Sequence, residues 1–103
     1  MQIQINPGEG LSVSEALKAH IHKSLESVER RFGDRITRIE AFLKDVNGPK
    51  GGVDKQCVLE ARLRSLEPEA ATGLEEDAYD AVKAAADRLE KVLERRIGKL
   101  KHR

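Results

Sequence analysis

DAYDAVKAAADRLEKVLERRIGKLKHR, the stretch from Asp77 to Arg103, reads as one long helix with two separate faces. Tyr79, Val82, Ala86, Leu89, Leu93, Ile97 and Leu100 recur at three- and four-residue steps, so they form one apolar seam. Arg88, Lys91, Arg95, Lys99 and His102 recur at the same steps, about half a turn away. The seam asks for a covering layer. A cationic ridge facing water on a helix anchored by its opposite face is what a polyanion-binding element needs. Just upstream the sign reverses. Glu67 to Asp80 carries six carboxylates and no base, whereas Ala81 to Arg103 carries eight Lys/Arg against three acids. A whole-chain net charge of +1 hides this division. Acids at a helix start and bases at its end also complement the helix dipole, so charge alone leaves both readings open.

Working outward from that helix, Gln56 to Arg64 is the clearest strand. Cys57, Leu59, Ala61 and Leu63 fall on one face and Val58, Glu60, Arg62 and Arg64 on the other. Ile36 to Val46 alternates similarly, with Ile39, Ala41 and Leu43 on one face, and Asn47 to Gly52 is a Gly-rich hairpin loop between the two. Glu69 to Leu74 should be a fourth strand. Its Ala70-Ala71-Thr72-Gly73 core is poor strand material, so a short or frayed edge is expected. Gln2 to Asn6 places Ile3 and Ile5 on one face of a first strand, broken by Pro7-Gly8-Glu9-Gly10. A first helix carries Val13, Leu17, Ile21, Leu25, Val28 and Phe32 as its stripe. Ser12 and Ser14 are both N-cap candidates, Ser12 with Glu15 has capping-box spacing, and Gly33 is placed to end the helix with a positive φ.

The order is therefore β-α-β-β-β-α. The expected fold is α+β, with two helices on one face of a four-stranded, mostly antiparallel sheet, a layout shared with double-stranded RNA-binding domains. Gln2, Gln4, Arg38, Glu40, Lys44, Glu60, Arg62 and Arg64 should stay in water on the other face. At 103 residues, residues 1–103 make a single domain. With no Trp, and Phe32, Phe42 and Tyr79 as the aromatics, the core must be aliphatic. Cys57 stands alone, so it makes no intrachain disulfide or Cys-rich metal site, and a buried small residue is its expected role. No run approaches a membrane span and the N-terminus lacks a secretory pattern, so a cytoplasmic location without membrane contact is expected.

Enzymatic chemistry finds little support. His20 and His22 lie two apart, ~200° round a helix axis, so one metal cannot take both. Gly48-Pro49-Lys50-Gly51-Gly52 has phosphate-loop residue types but precedes a strand rather than a helix. No catalytic residue, metal, cofactor or small-molecule substrate is assigned. For nucleic acid, strands that offer only Phe42 argue against a base-stacking platform. The Arg88, Lys91 and Arg95 ridge suits phosphate contacts instead. Lys18, Lys23, Arg30 and Arg31 of the first helix could extend it, although a solvated face is the better reading of Lys23 and Arg30.

Three stretches in register resemble one family, the short ribosome-hibernation factors that include the ribosome-associated inhibitor and hibernation-promoting factor. They are Ser14-Glu-Ala-Leu-Lys18 leading through Ile21 and Leu25 to Arg31-Phe32-Gly-Asp-Arg-Ile36; Asp77-Ala-Tyr79-Asp-Ala-Val82; and Asp87-Arg-Leu89 with Lys91, Leu93 and Arg95. The resemblance implies a non-enzymatic, bacterial, stress-linked translation regulator. It would bind the small ribosomal subunit between head and body, in the channel of messenger and transfer RNA, and hold ribosomes inactive in stationary phase. It implies that Lys18, Arg88, Lys91 and Arg95 contact ribosomal RNA phosphates, with Lys99 consistent by position. The expected state is a monomer without the C-terminal dimerisation domain with which long members pair ribosomes. Ser24 and Ser27 depart from the pattern, standing where relatives often carry lysine. Competing readings are a double-stranded RNA-binding module, disfavoured by the acidic start of the last helix, and a charged protein-interaction domain. A small enzyme ranks third.

Overall fold

The structure is a computed structural model describing residues 1–8, 11–46 and 52–101, with side chains as far as Gly98. Most of the expected hairpin loop, the side chains of Lys99 and Leu100, and His102 therefore lie outside the described residues. The elements run β1 (Gln2–Pro7), α1 (Glu15–Ser24), α2 (Glu26–Phe32), a 3-10 turn (Gly33–Arg35), β2 (Ile36–Asp45), β3 (Lys55–Leu63), β4 (Glu69–Glu75) and α3 (Ala78–Lys101). The four strands lie side by side in chain order. β1 pairs parallel with β2 (Ile3 with Ile39, Ile5 with Ala41), and α1 and α2 form the crossover that a parallel pair requires. β2, β3 and β4 form an antiparallel meander. This is the expected α+β architecture.

Alternation in the strands and the helical stripes meet in one core. Ile39, Ala41 and Leu43 of β2 and Cys57, Leu59, Ala61 and Leu63 of β3 face the helices. Leu17, Ile21, Leu25, Val28 and Phe32 cover them from α1 and α2, and Val82, Ala86, Leu89, Leu93 and Ile97 from α3. Each fully buried Leu or Ile contributes about 1.5–3 kcal/mol, which is how an almost aromatic-free chain holds together.

One alternative is settled and three local expectations need correction. Ser14, not the Ser12–Glu15 box, caps the first helix: its Oγ accepts the Leu17 N–H at 3.1 Å. The helix does not run unbroken to Phe32. Leu25 leaves helical geometry (φ −97°, ψ 2°), its N–H is shared between the carbonyls of Ile21 and His22, and α2 starts one residue later. Gly33 has φ −56°, so the chain leaves α2 through a 3-10 turn and not through a left-handed glycine. Tyr79 is not part of the apolar seam. It is exposed, and its ring lies 5.0 Å from that of His20 on α1.

The fourth strand is neither short nor frayed. β4 pairs with β3 along its whole length, from Ala61–Glu69 to Lys55–Glu75. Its weak strand formers are explained by what lies over them. Ala71 and Gly73 face α3, and a Cβ at Gly73 would fall 2.1 Å from the Ala81 carbonyl oxygen and 2.8 Å from the Ala85 nitrogen. Small residues here let the helix backbone come down onto the strand. Strand propensity measures packing context more than backbone preference, and this context rewards the absence of a side chain.

Candidate nucleic-acid interface

Packing on the sheet gives α3 two long flanks. One faces α1 and α2. There Glu90 accepts hydrogen bonds from the Ser27 hydroxyl at 2.8 Å and from the Arg31 guanidinium at 2.6 Å, and Glu94 lies 3.8 Å from the same guanidinium. Lys83 pairs with Asp87 at 3.4 Å, and His20 Nε2 hydrogen-bonds the Tyr79 carbonyl at 2.9 Å. Partial burial pushes the Glu90 carboxyl up, but the Arg31 and Ser27 hydrogen bonds outweigh it and hold the group below the ordinary carboxylate value. On this flank charge answers charge.

The opposite flank overhangs β4. Arg88, Lys91 and Arg95 stand in line above Ala70, Ala71 and Thr72, with Val92 between them. All three cations are exposed. Arg88 donates to the Thr72 carbonyl at 2.6 Å, leaving most of its donors available. Lys91 and Arg95 have no ion-pair partner among the described residues. Arg96, nearer the sheet, pairs with Glu69 of β4 at 2.8 Å. The ridge read from spacing is thus a row of cations along one flank of a helix anchored by its seam.

The structure does not bring all the candidate residues together. Lys18 is exposed on α1 and pairs with Glu15 at 3.3 Å. It stands ~160° round α1 from His20, which touches α3, so it faces away from the ridge. Arg31, considered as an extension of the footprint, is taken up by Glu90 and Glu94. Lys23 stays near the α1–α3 cleft with His20, Ser24, Lys83 and Asp87. The sequence reading missed Arg96. Its spacing put it off the ridge, and only the fold shows that β4 presents Glu69 to it.

The open sheet face offers a different surface. Arg38 sits opposite Arg62 and Glu40 opposite Glu60, so like charges meet directly across the strands. They pair along and diagonally between strands instead: Glu40 binds Arg38 at 3.1 Å and Arg62 at 3.7 Å, and Arg62 binds Glu60 at 3.0 Å. A neutralised quartet with Phe42 as the one exposed aromatic beside it is not a base-stacking platform. Cys57 is fully buried under the helices, and burial pushes its thiol up to about 12. That is the inert role expected of it.

Against known proteins, the family model described as Sigma 54 modulation protein / S30EA ribosomal protein matches residues 3–101. None of the curated proteins matches the chain. Among solved structures, the N-terminal domain of Protein Y from Thermus thermophilus is similar at 22% identity and a TM-score of 0.74, over 92% of this chain and 98% of that one. A ribosomal subunit interface protein from Coxiella burnetii is similar at 24% identity and a TM-score of 0.72, over the whole of both chains. At these identities the two structures show a shared fold.

Proposed function

The chain belongs to the Sigma 54 modulation protein / S30EA ribosomal protein family, and from that membership we propose that it is a non-enzymatic, ribosome-associated regulator of translation. It binds the small subunit between head and body, fills the channel used by messenger and transfer RNA, and holds ribosomes inactive as a hibernation factor. The observation that carries the RNA-binding part is the asymmetry of α3. Glutamates on one flank are occupied by neighbouring helices, while Arg88, Lys91 and Arg95 line the other, none of them paired with an acid among the described residues. Such a row suits phosphates and recognition by shape, which requires no base-reading platform. Lys99 continues the row by sequence spacing. Lys18, on the far side of α1, belongs to the same footprint only if RNA wraps the domain, as phosphates on two walls of a cleft would. The acidic start of α3, Glu75 to Asp80, disfavours a double-stranded RNA module that would place that end on phosphates.

Binding should therefore fall steeply with salt, because phosphate contacts release counterions. Replacing Arg88, Lys91 and Arg95 together by alanine should flatten the slope of log affinity against log salt by roughly two to three, from the per-contact value, with the circular dichroism spectrum unchanged. Equal slopes for wild type and variant would reduce the ridge to a solvated face. Pre-bound messenger and initiator transfer RNA should lower the protein's co-sedimentation with small subunits. Tight binding of this protein and peptidyl-site transfer RNA to one subunit would rule the occupancy mechanism out.

A further inference from the structure

β4 is an edge strand, and the Arg88 contact shows which way its backbone points. The Thr72 carbonyl faces outward, where it accepts from Arg88, since the β3 residues turned toward β4 pair with Gly73, Ala71 and Glu69. In an antiparallel strand the N–H of the same residue points the same way, and the pattern repeats every second residue. Ala70, Thr72 and Leu74 therefore turn both N–H and C=O to the free edge, while Ala71 and Gly73 bond to β3. No described strand pairs with that edge. Natural sheets guard such edges with lysine, proline or bulges along the strand. β4 has none between Glu69 and Glu75, and its outward-facing residues are exposed. What stands over the edge is the cationic ridge.

We propose that the β4 edge, under Arg88, Lys91 and Arg95, is a docking site for an extended acidic peptide segment of a partner protein, which adds as a fifth strand. Two features select this occupant. The edge alternates donors with acceptors, which matches another strand's backbone; a phosphate chain, which only accepts, would meet the outward carbonyls with its own lone pairs. The ridge then selects the side chains. Alternate residues of an added strand fall on the helix side of the sheet, where carboxylates reach Lys91 and Arg95, which no acid of the described chain pairs with. The incoming N–H takes the place of the Arg88 guanidinium on the Thr72 carbonyl and frees Arg88 for a carboxylate. The site is independent of the ribosome reading, although the peptide covers the same three cations and so excludes polyanions from them.

The test uses a short fluorescent peptide that alternates glutamate with valine, and the same peptide N-methylated at every valine, the residues whose N–H faces β4 when the glutamates lie on the helix side. Charge is equal in the two, but the second cannot ladder onto β4 with its glutamates under the ridge. Binding should drop at least tenfold on N-methylation. Thr72→Pro should weaken the unmodified peptide at least tenfold without unfolding the sheet, because the lost N–H points away from β3. Amide exchange of the wild-type protein supplies an independent readout. The Ala70, Thr72 and Leu74 amides should slow at least tenfold in the complex, and those of Ala71 and Gly73 should not. Equal affinity of the two peptides, no loss with T72P, or protection elsewhere on the chain would overturn the proposal. T72P should leave small-subunit binding unchanged. Lost subunit binding in K91E/R95E with strand addition undetected in the wild type would support the ribosome reading and sink this one; retained subunit binding in that variant with peptide binding abolished would do the reverse.

Discussion

The two flanks of α3 are both charged and behave in opposite ways. Toward α1 and α2, Glu90 and Glu94 gather Arg31 and Ser27 into a closed network. Toward β4, Glu69 takes Arg96, Lys91 and Arg95 have no ion-pair partner among the described residues, and Arg88 spends part of its guanidinium on a main-chain carbonyl. The difference comes from the neighbours. The neighbouring α2 offers Ser27 and Arg31, which reach across, whereas beneath the ridge β4 offers Ala70, Ala71, Thr72 and Gly73, whose side chains cannot, and its Glu69 is taken by Arg96. Cations beside short residues have only solvent or a partner to meet. The same shortness that brings the helix down onto the strand keeps the ridge open.

That comparison can be broken most severely at its hinge. Leu93 is wholly buried beneath both flanks. Leu93→Ala should cost on the order of 2–5 kcal/mol, lost from both sides together in one urea transition. Two separated transitions would mean that the flanks are held independently. A smaller, one-sided loss is expected at the strand. Gly73→Ala puts a methyl into the Ala81 carbonyl, so α3 must lift from β4 at a cost of about 1–3 kcal/mol. Amide exchange in β4 should rise more than in α1. Unchanged stability would show that the helix has slack over the strand.

The smallest effect belongs to the closed flank. Glu90→Gln weakens an interhelical ion pair and should cost about 0.2–1 kcal/mol near neutral pH. The folded carboxyl titrates below its ordinary value of 4.5, so its contribution is complete above that value and fades as pH falls through the lower folded one. Wild type and E90Q should therefore converge in stability in acid, which urea titrations between pH 7 and pH 3 would show. Small-subunit binding should be untouched by E90Q. Loss of binding would mean that RNA reads the closed flank as well.

The sequence carried most of the layers but few of the partners. The strict alternation of β3 and the seam of α3 are long patterns, and periodicity over many residues leaves one arrangement that buries them. β4 was misjudged because its residues answer to a helix that a local window does not contain. The break at Leu25 and the 3-10 exit after Phe32 are single-residue choices with no period to announce them. At the site, spacing was enough to align Arg88, Lys91 and Arg95. It could not foresee that Arg96 meets Glu69, that Glu90 captures Arg31, or that Lys18 turns away, since each is decided by an element distant in the chain.

The parallel pairing of β1 also sets a timetable. Each β1 residue waits for a partner 36 positions on, Gln2 for Arg38 and Ile3 for Ile39. β2–β3 and β3–β4 close over far shorter spans, Asp45 meeting Lys55 and Ala61 meeting Glu69. The longer loop costs roughly 1 kcal/mol more in closure entropy, and topology of this kind slows assembly. The strand that leaves the synthesising ribosome before the other three is thus the last to be welcomed into the sheet. On a nascent chain, Ile3 and Ile5 remain unsheltered until β2 has emerged, and pulsed hydrogen exchange during refolding should find the β1 amides protected after those of β3.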